Sequence, residues 1–309
     1  MSLRRLFLLL CLVLVAPISR ADAPAAAYHP LLWKVSDADS AVYLLGAFHL
    51  LKVDDYPLPA EVERAFDDSA ALLFEVDPAA MTSPDTLAAM RKYTALSDGK
   101  TLGDVLPKTT LDRLGVLVAA SGGSLQALEH SEPWAVNLSL TLGITQALGL
   151  RADLGLDRYL MQRAAQAGKP VAGLETVEAQ LQAMDGVPYA EQVQQLEEFL
   201  ADPPRAARQL QDLHAWWRAG DADRLDAEMR AEMARKTPES YRLLDVERNQ
   251  AWLPQLEKRL ADSHRDNILV VVGALHLLGP DGLVEQLRAR GYKVERICDG
   301  CALPVPTAH

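Results

Sequence analysis

Two unbroken apolar runs dominate the pattern of the chain. "AVYLLGAFH" begins at Ala41 and "ILVVVGALH" at Ile268, and in each a glycine is followed three positions later by a histidine. Continuous apolar runs of this length read as strands buried on both faces. "AALLFEVDP" (Ala70 to Pro78) reads as a third strand closed by Asp-Pro, "KPVAGLE" (Lys169 to Glu175) as a shorter fourth, and "YKVERI" (Tyr292 to Ile297) as a fifth. Helical patterns fill the intervals. Pro59 to Asp68 and Ser83 to Tyr93 open with Pro and Ser-Pro, and proline is favoured in a first helical turn. Glu132 to Leu148, Leu156 to Ala167 and Thr176 to Met184 follow, and Pro188 to about Ser263 is helical by composition, with breaks near "ADPPR", "AGDA" and "KTPES". This order predicts an α/β fold: a single domain with a mixed or mostly parallel central sheet, flanking helices and a large helical insertion as a lid or cap.

The ends of the chain refine that picture. Two arginines precede an apolar run from Leu6 to Val15, and small residues follow, with cleavage expected after Ala21 or Ala23. This is the pattern of a signal peptide over residues 1–23. Cys11 sits inside the apolar run behind the bulky Leu10, which argues against a lipoprotein anchor. The expected product is exported, periplasmic or secreted, with no stable membrane anchor. The domain is expected over residues 28–298 and a C-terminal tail over 299–309. After cleavage only Cys298 and Cys301 remain, as "CDGC". In an oxidising compartment the simplest expectation is a local disulfide; a zinc site would need two more ligands. The net charge of −11 is spread along the helices, which excludes nucleic acid and anionic membrane surfaces as main partners.

The chemistry is carried by few residues. His49 and His276 each follow a strand end, where loops of α/β sheets bind ligands, and the chain holds only seven histidines. A glycine three positions earlier lets the backbone turn and approach a ligand. The alternative for each is a hydrogen-bonded core histidine. Glu75 puts a carboxylate inside a run that should be buried, where a charge is rarely left unpaired; otherwise it lies past the buried portion. Glu175 ends a strand where a helix begins, so it is either a site residue or support for that helix N-terminus. Arg248 and Asn249 lie on a long helix, where a solvated face is the default. No Gly-x-Ser-x-Gly and no His-Glu-x-x-His occurs, so serine hydrolases and zincins lose their usual signatures.

The two Gly-x-x-His motifs, the Glu of "LLFEVDP", the "GLETVEAQL" segment, the Arg-Asn of "ERNQAW" and the ending "VVGALHLLGPDGLVEQLRARGYKV" together resemble the TraB/GumN family. That family is related to the Tiki proteases and, more distantly, to erythromycin esterases and haem-binding ChaN proteins. The resemblance runs roughly from Leu31 to Ile297, and its specific parts are the C-terminal motif and "GLETVEAQL". It implies one α/β fold in which His49, His276 and Glu75 converge. Tiki relatives are metal-dependent peptidases using manganese or cobalt, whereas the esterase relatives use His and Glu without an obligatory metal.

Both chemistries suit these residue types. His49, Glu75 and His276 can hold a divalent metal with an open position for water. Alternatively, a His–Glu pair serves as general base while Arg248 stabilises an oxyanion. The expected catalytic set is His49, Glu75, His276, Arg248 and Glu175, in an exported, metal-assisted hydrolase acting on a peptide or small-molecule substrate. The other class is a non-catalytic binding protein for a peptide, small ligand or haem, with His49 or His276 as axial ligand.

Overall fold

A computed structural model describes residues 28–262, 266–299 and 301. The expected signal peptide and nearly all of the expected tail lie outside the described residues. Six strands form one sheet: β1 (Leu32–Ser36), β2 (Ala41–Ala47), β3 (Ser69–Val76), β4 (Val171–Glu175), β5 (Asn267–Gly273) and β6 (Lys293–Arg296). Their spatial order is β4-β3-β5-β2-β1-β6. The four strands from β4 to β2 run parallel, and β1 pairs antiparallel with both β2 and β6. The sheet is therefore mixed.

Burial explains which strands announce themselves. β2 is buried along its whole length and β5 at every position but its two ends, hence their unbroken apolar runs. β1 is the strand the pattern does not give. Its five residues alternate buried and half-buried positions after Trp33 and carry Lys34 and Ser36. The last unit, read as strand, helix and strand, does not pair its own strands. Both edges of β5 are taken by β2 and β3, so β6 crosses to the far side of β1.

Helices cover the sheet, and those between β4 and β5 include Val177–Asp185, Pro203–Ala219, Ala231–Lys236 and Glu247–Asp262. They form the expected helical insertion. A separate small core of Leu102, Leu114, Val136 and Leu196 joins helices Lys108–Ala120, Pro133–Ala147 and Tyr189–Ala201; the first of these falls in a stretch to which the pattern assigns nothing. Among the described residues no helix is long and apolar enough to cross a membrane. Cys298 and Cys301 are joined in a disulfide, as expected for an oxidising setting. Because β2 to β5 run parallel, their C-terminal ends share one edge of the sheet, and that edge carries the candidate site.

Candidate active site

The two Gly-x-x-His motifs lie on neighbouring strands, staggered by one residue: Gly46 is opposite Val272, and Gly273 is opposite Ala47. Neither glycine has a positive φ, so the sharp turn expected of them is not their role. What matters is the missing side chain. A Cβ at Gly46 would lie 3.0 Å from Leu31 Cβ and 3.1 Å from Ala274 Cα, so this glycine lets the second motif pack against the first. A Cβ at Gly273 would lie 3.2 Å from both Glu75 Oε1 and His49 Nε2. That glycine leaves the site its space.

Glu75, near the end of β3, is buried. Its Oε1 accepts from the Gly273 N–H at 2.7 Å, and its Oε2 accepts from Arg248 Nη2 at 2.6 Å and Gln180 Nε2 at 3.0 Å. Burial works against the carboxylate charge, but His276, Arg248 and His49, with the Gly273 N–H, outweigh it and hold the pKa at about 2. Arg248 is the permanent positive charge among them.

Arg248 does not lie on a solvated face. It is buried between carboxylates, with Nε 3.1 Å and Nη2 2.7 Å from Glu175 Oε1, while Nη1 donates to Leu244 O and faces His276 Nε2, both at 3.0 Å. A guanidinium has five N–H donors, and each has an acceptor here. The guanidinium also sits 4.8 Å from the Trp252 ring. Glu175 is pushed up by its burial, against the pull of Arg248. A π-helical segment, Arg242–Val246, precedes helix Glu247–Asp262. Such wide turns add a residue to the helical repeat and are frequent at functional sites. Buried Asp245, whose pKa burial pushes up to about 7, lies within this one.

His49 and His276 converge on Glu75. His49 Nε2 is 3.8 Å and His276 Nε2 4.0 Å from Glu75 Oε1. On the far side of each ring the other nitrogen is anchored. His49 Nδ1 is 3.2 Å from Asp157 Oδ1, at the start of helix Leu156–Ala167. A Cβ on Gly155 would come within 2.2 Å of the His49 carbonyl oxygen, so glycine is needed for that helix to reach the motif. His49 is placed well within the cleft, which opposes its charge, but the Asp157 hydrogen bond and the charges of Glu75 and Asp157 raise its pKa to about 9. The ring still shows 55 % of its surface, and solvent screening tempers the size of this effect rather than its direction.

His276 is the opposite case. It sits on a 3₁₀ turn after β5, buried against Trp252 with ring centroids 4.6 Å apart. Asn249 fixes its tautomer. The Asn249 Nδ2 donates to Asp245 Oδ1 at 2.9 Å and to the Asp281 carbonyl at 3.0 Å. A carbonyl can only accept, so Asn249 Oδ1 is left facing His276 Nδ1, at 2.8 Å. Nδ1 therefore carries the proton, and the Nε2 lone pair points to Arg248 and Glu75. Burial lowers the His276 pKa to about 3, helped by the Arg248 and His49 charges and opposed by Glu75. His276 is neutral.

All five residues expected from the sequence, His49, Glu75, Glu175, Arg248 and His276, meet at this edge. Asp157, Gln180 and Asp245 join them without having been singled out; the sequence traces are Gly155, two positions before Asp157, and the "GLETVEAQL" segment that holds Gln180. The site opens into a cavity of about 590 Å³. Its walls are apolar and include Met81, Met161, Met184, Met229 and Met233, with the polar groups gathered at the strand ends. The helical insertion supplies much of the wall, as Met184, Leu213, Met229, Met233 and Leu244 all belong to it.

The donor types suit a divalent ion. Each imidazole has Nδ1 anchored by a polar side chain, as metal-bound histidines do, and turns Nε2 toward Glu75; at His49 an ion would take the place of the Nε2 proton. Arg248 shares the His276 lone pair and is the group an ion would displace there. Among the described residues, the group of three whose donor atoms all lie within 4.8 Å of one another is His29, Cys298 and Cys301, so the cleft set is more open than a closed metal cage.

The sequence profile of the TraB/PrgY/gumN family matches residues 31–296. The chain is 27 % identical over 246 residues to the uncharacterised protein YbaP of Escherichia coli, covering 80 % of this chain and 87 % of that one. It is 24 % identical over 325 residues to the metalloprotease TIKI1 of Danio rerio, covering 89 % of this chain and 65 % of that one. It is also 24 % identical over 348 residues to human metalloprotease TIKI1, with 93 % and 67 % covered. No solved structure gives a significant match. A match over the sheet, the insertion and both histidine motifs makes this chain a member of the TraB/PrgY/gumN family.

Proposed function

We propose that the chain is a hydrolase of peptide-bond type, with His49, Glu75 and His276 as the donor set for a divalent ion such as manganese or cobalt. The observation that carries this reading is the convergence of both Nε2 atoms on Glu75 Oε1, at 3.8 and 4.0 Å, with each Nδ1 anchored. A bound ion would supply Lewis acidity and lower the pKa of a water. The chain's own groups do the rest. Glu75, held ionised by Arg248, presents a permanent negative charge at the floor of the cleft. His276, fixed by Asn249, keeps a lone pair directed inward. In the ion-free chain His49, steadied by Asp157, holds a proton on Nε2 near neutral pH, and an ion bound there would take that proton's place. With all five donors engaged, Arg248 is better suited to positioning Glu75 and His276 than to stabilising an oxyanion. Glu175 completes the balance of charge around it.

The apolar cavity gives some support to the other class, a binding protein for a peptide, small ligand or haem. The two readings separate in one experiment. The purified chain is incubated with a peptide library with and without added manganese or cobalt, beside Glu75→Gln, and products are read by mass spectrometry. Metal-stimulated cleavage that the variant loses supports the hydrolase. Peptide retained intact by the wild type under every metal condition makes it a binding protein.

A further inference from the structure

We propose that His29, Cys298 and Cys301 form a binding site for a zinc-type divalent ion whenever the Cys298–Cys301 disulfide is reduced. Their donor atoms all lie within 4.8 Å of one another, and all three residues are half-buried. None belongs to the cleft. They come from the two ends of the described fold, His29 just before β1 and the cysteines just after β6.

Each side is held by contacts that do not involve the disulfide. The His29 N–H donates to the Arg218 carbonyl at 2.9 Å, and the His29 carbonyl packs against Gly220 so closely that a Cβ there would come within 2.7 Å. On the other side, the Ile297 N–H donates to the Leu32 carbonyl at 2.8 Å and the Asp299 N–H to Glu61 Oε1 at 2.7 Å. Opening the disulfide therefore leaves two thiols and an imidazole close together on separately anchored segments.

The donor types choose the ion. Two thiolates and one imidazole favour zinc over magnesium, calcium or manganese, with one position left for water. A phosphine reductant illustrates the balance. The S–S bond breaks with two electrons from phosphorus, water gives its oxygen to the phosphine oxide and its two protons to the sulfurs, and each thiol releases its proton when it binds the ion. Ion and disulfide exclude one another. Either one ties Cys298 to Cys301, but only the ion also fastens them to the segment before β1.

The test uses the chain from residue 24 onward, which lacks Cys11, reduced with a phosphine, desalted under nitrogen and titrated with cobalt(II) alone. Thiolate-to-cobalt charge-transfer absorption should appear, saturate at one ion per chain, and vanish on adding zinc. The cleft contains no sulfur donor from cysteine, so this absorption reports only the new site. The oxidised chain should show none, and His29→Ala should weaken binding by about tenfold or more. Zinc-edge X-ray absorption on the reduced wild type answers without a substitution: two sulfur neighbours at about 2.3 Å with an imidazole shell are expected. Absence of the charge-transfer band, one ion per two chains, equal binding by His29→Ala, or a zinc shell without imidazole would overturn the proposal.

Discussion

Gly-Ala-Phe-His at the end of β2 and Gly-Ala-Leu-His at the end of β5 differ by one side chain, yet they deliver imidazoles of opposite kind. His49 faces the open cavity with carboxylates on both sides and is raised to about 9. His276 is buried beneath Arg248 and against Trp252 and is lowered to about 3. The glycines diverge as well, Gly46 serving the packing between motifs and Gly273 the space of the site. The motif fixes where a histidine sits, and its neighbours fix what it does. Asp157 lies behind one ring and Asn249 behind the other, so one side can hold a proton while the other offers a lone pair.

The strongest way to break this comparison is to remove the carboxylate the two rings share. Glu75→Gln should lower turnover by about 10² or more, the lower range for losing an acid–base group. Its stability cost should stay below the roughly 3–5 kcal/mol of a buried ion left alone, because Glu175 still pairs with Arg248. Peptide turnover measured beside urea denaturation separates the two effects. Full turnover in the variant would take Glu75 out of the chemistry.

The glycine pair sharpens the contrast. Gly273→Ala crowds Glu75 and His49, and misplaced reacting groups can cost up to about 10² in rate; its melting temperature should change little, since side-chain ends can yield. Gly46→Ala meets backbone and Cβ atoms instead and should destabilise by about 1–3 kcal/mol, as overpacking does. Equal melting temperatures for the two variants would contradict the assigned roles.

The histidines should divide in the same way. His276→Ala leaves Asn249 Oδ1 without its partner, at about 1–3 kcal/mol for a buried unsatisfied group. Above about pH 9, where its ring is uncharged, His49→Ala should stay within about 0.5 kcal/mol, as substitutions of exposed residues do. The His49 contribution is also a slope with pH. A pKa raised on folding makes His49 stabilising below its unfolded value near 6.5, and that contribution is lost as pH rises through about 9. Melting curves of the wild type should therefore converge on those of His49→Ala between these values.

Much of this was legible in the chain, for reasons particular residues make clear. β2 and β5 are buried on both faces, and the histidines that end their runs pointed to one cleft. Glu75 stood out because a carboxylate in "LLFEVDP" needs a partner. β1 left no comparable trace, since "LWKVS" is short and half-polar. Arg248 and Asn249 look solvated on a regular helical repeat. The π-helical segment at Arg242–Val246 alters that repeat just before them, and no count by 3.6 residues would detect it. Asp157 and Gln180 act through tertiary placement on helices whose periodicity explains only their buried faces. The disulfide could be read from compartment and spacing, but His29 beside it could not, because 268 residues lie between His29 and Cys298.

One motif, written twice, yields one protonated and one neutral imidazole. Proton–carbon correlation NMR across a pH series, assigned with His49→Ala and His276→Ala, measures it directly. The His49 ring should titrate near 9, and the His276 ring should keep the shifts of a neutral Nδ1–H tautomer down to the acid limit of the fold. Two rings titrating together near 6.5 would contradict it.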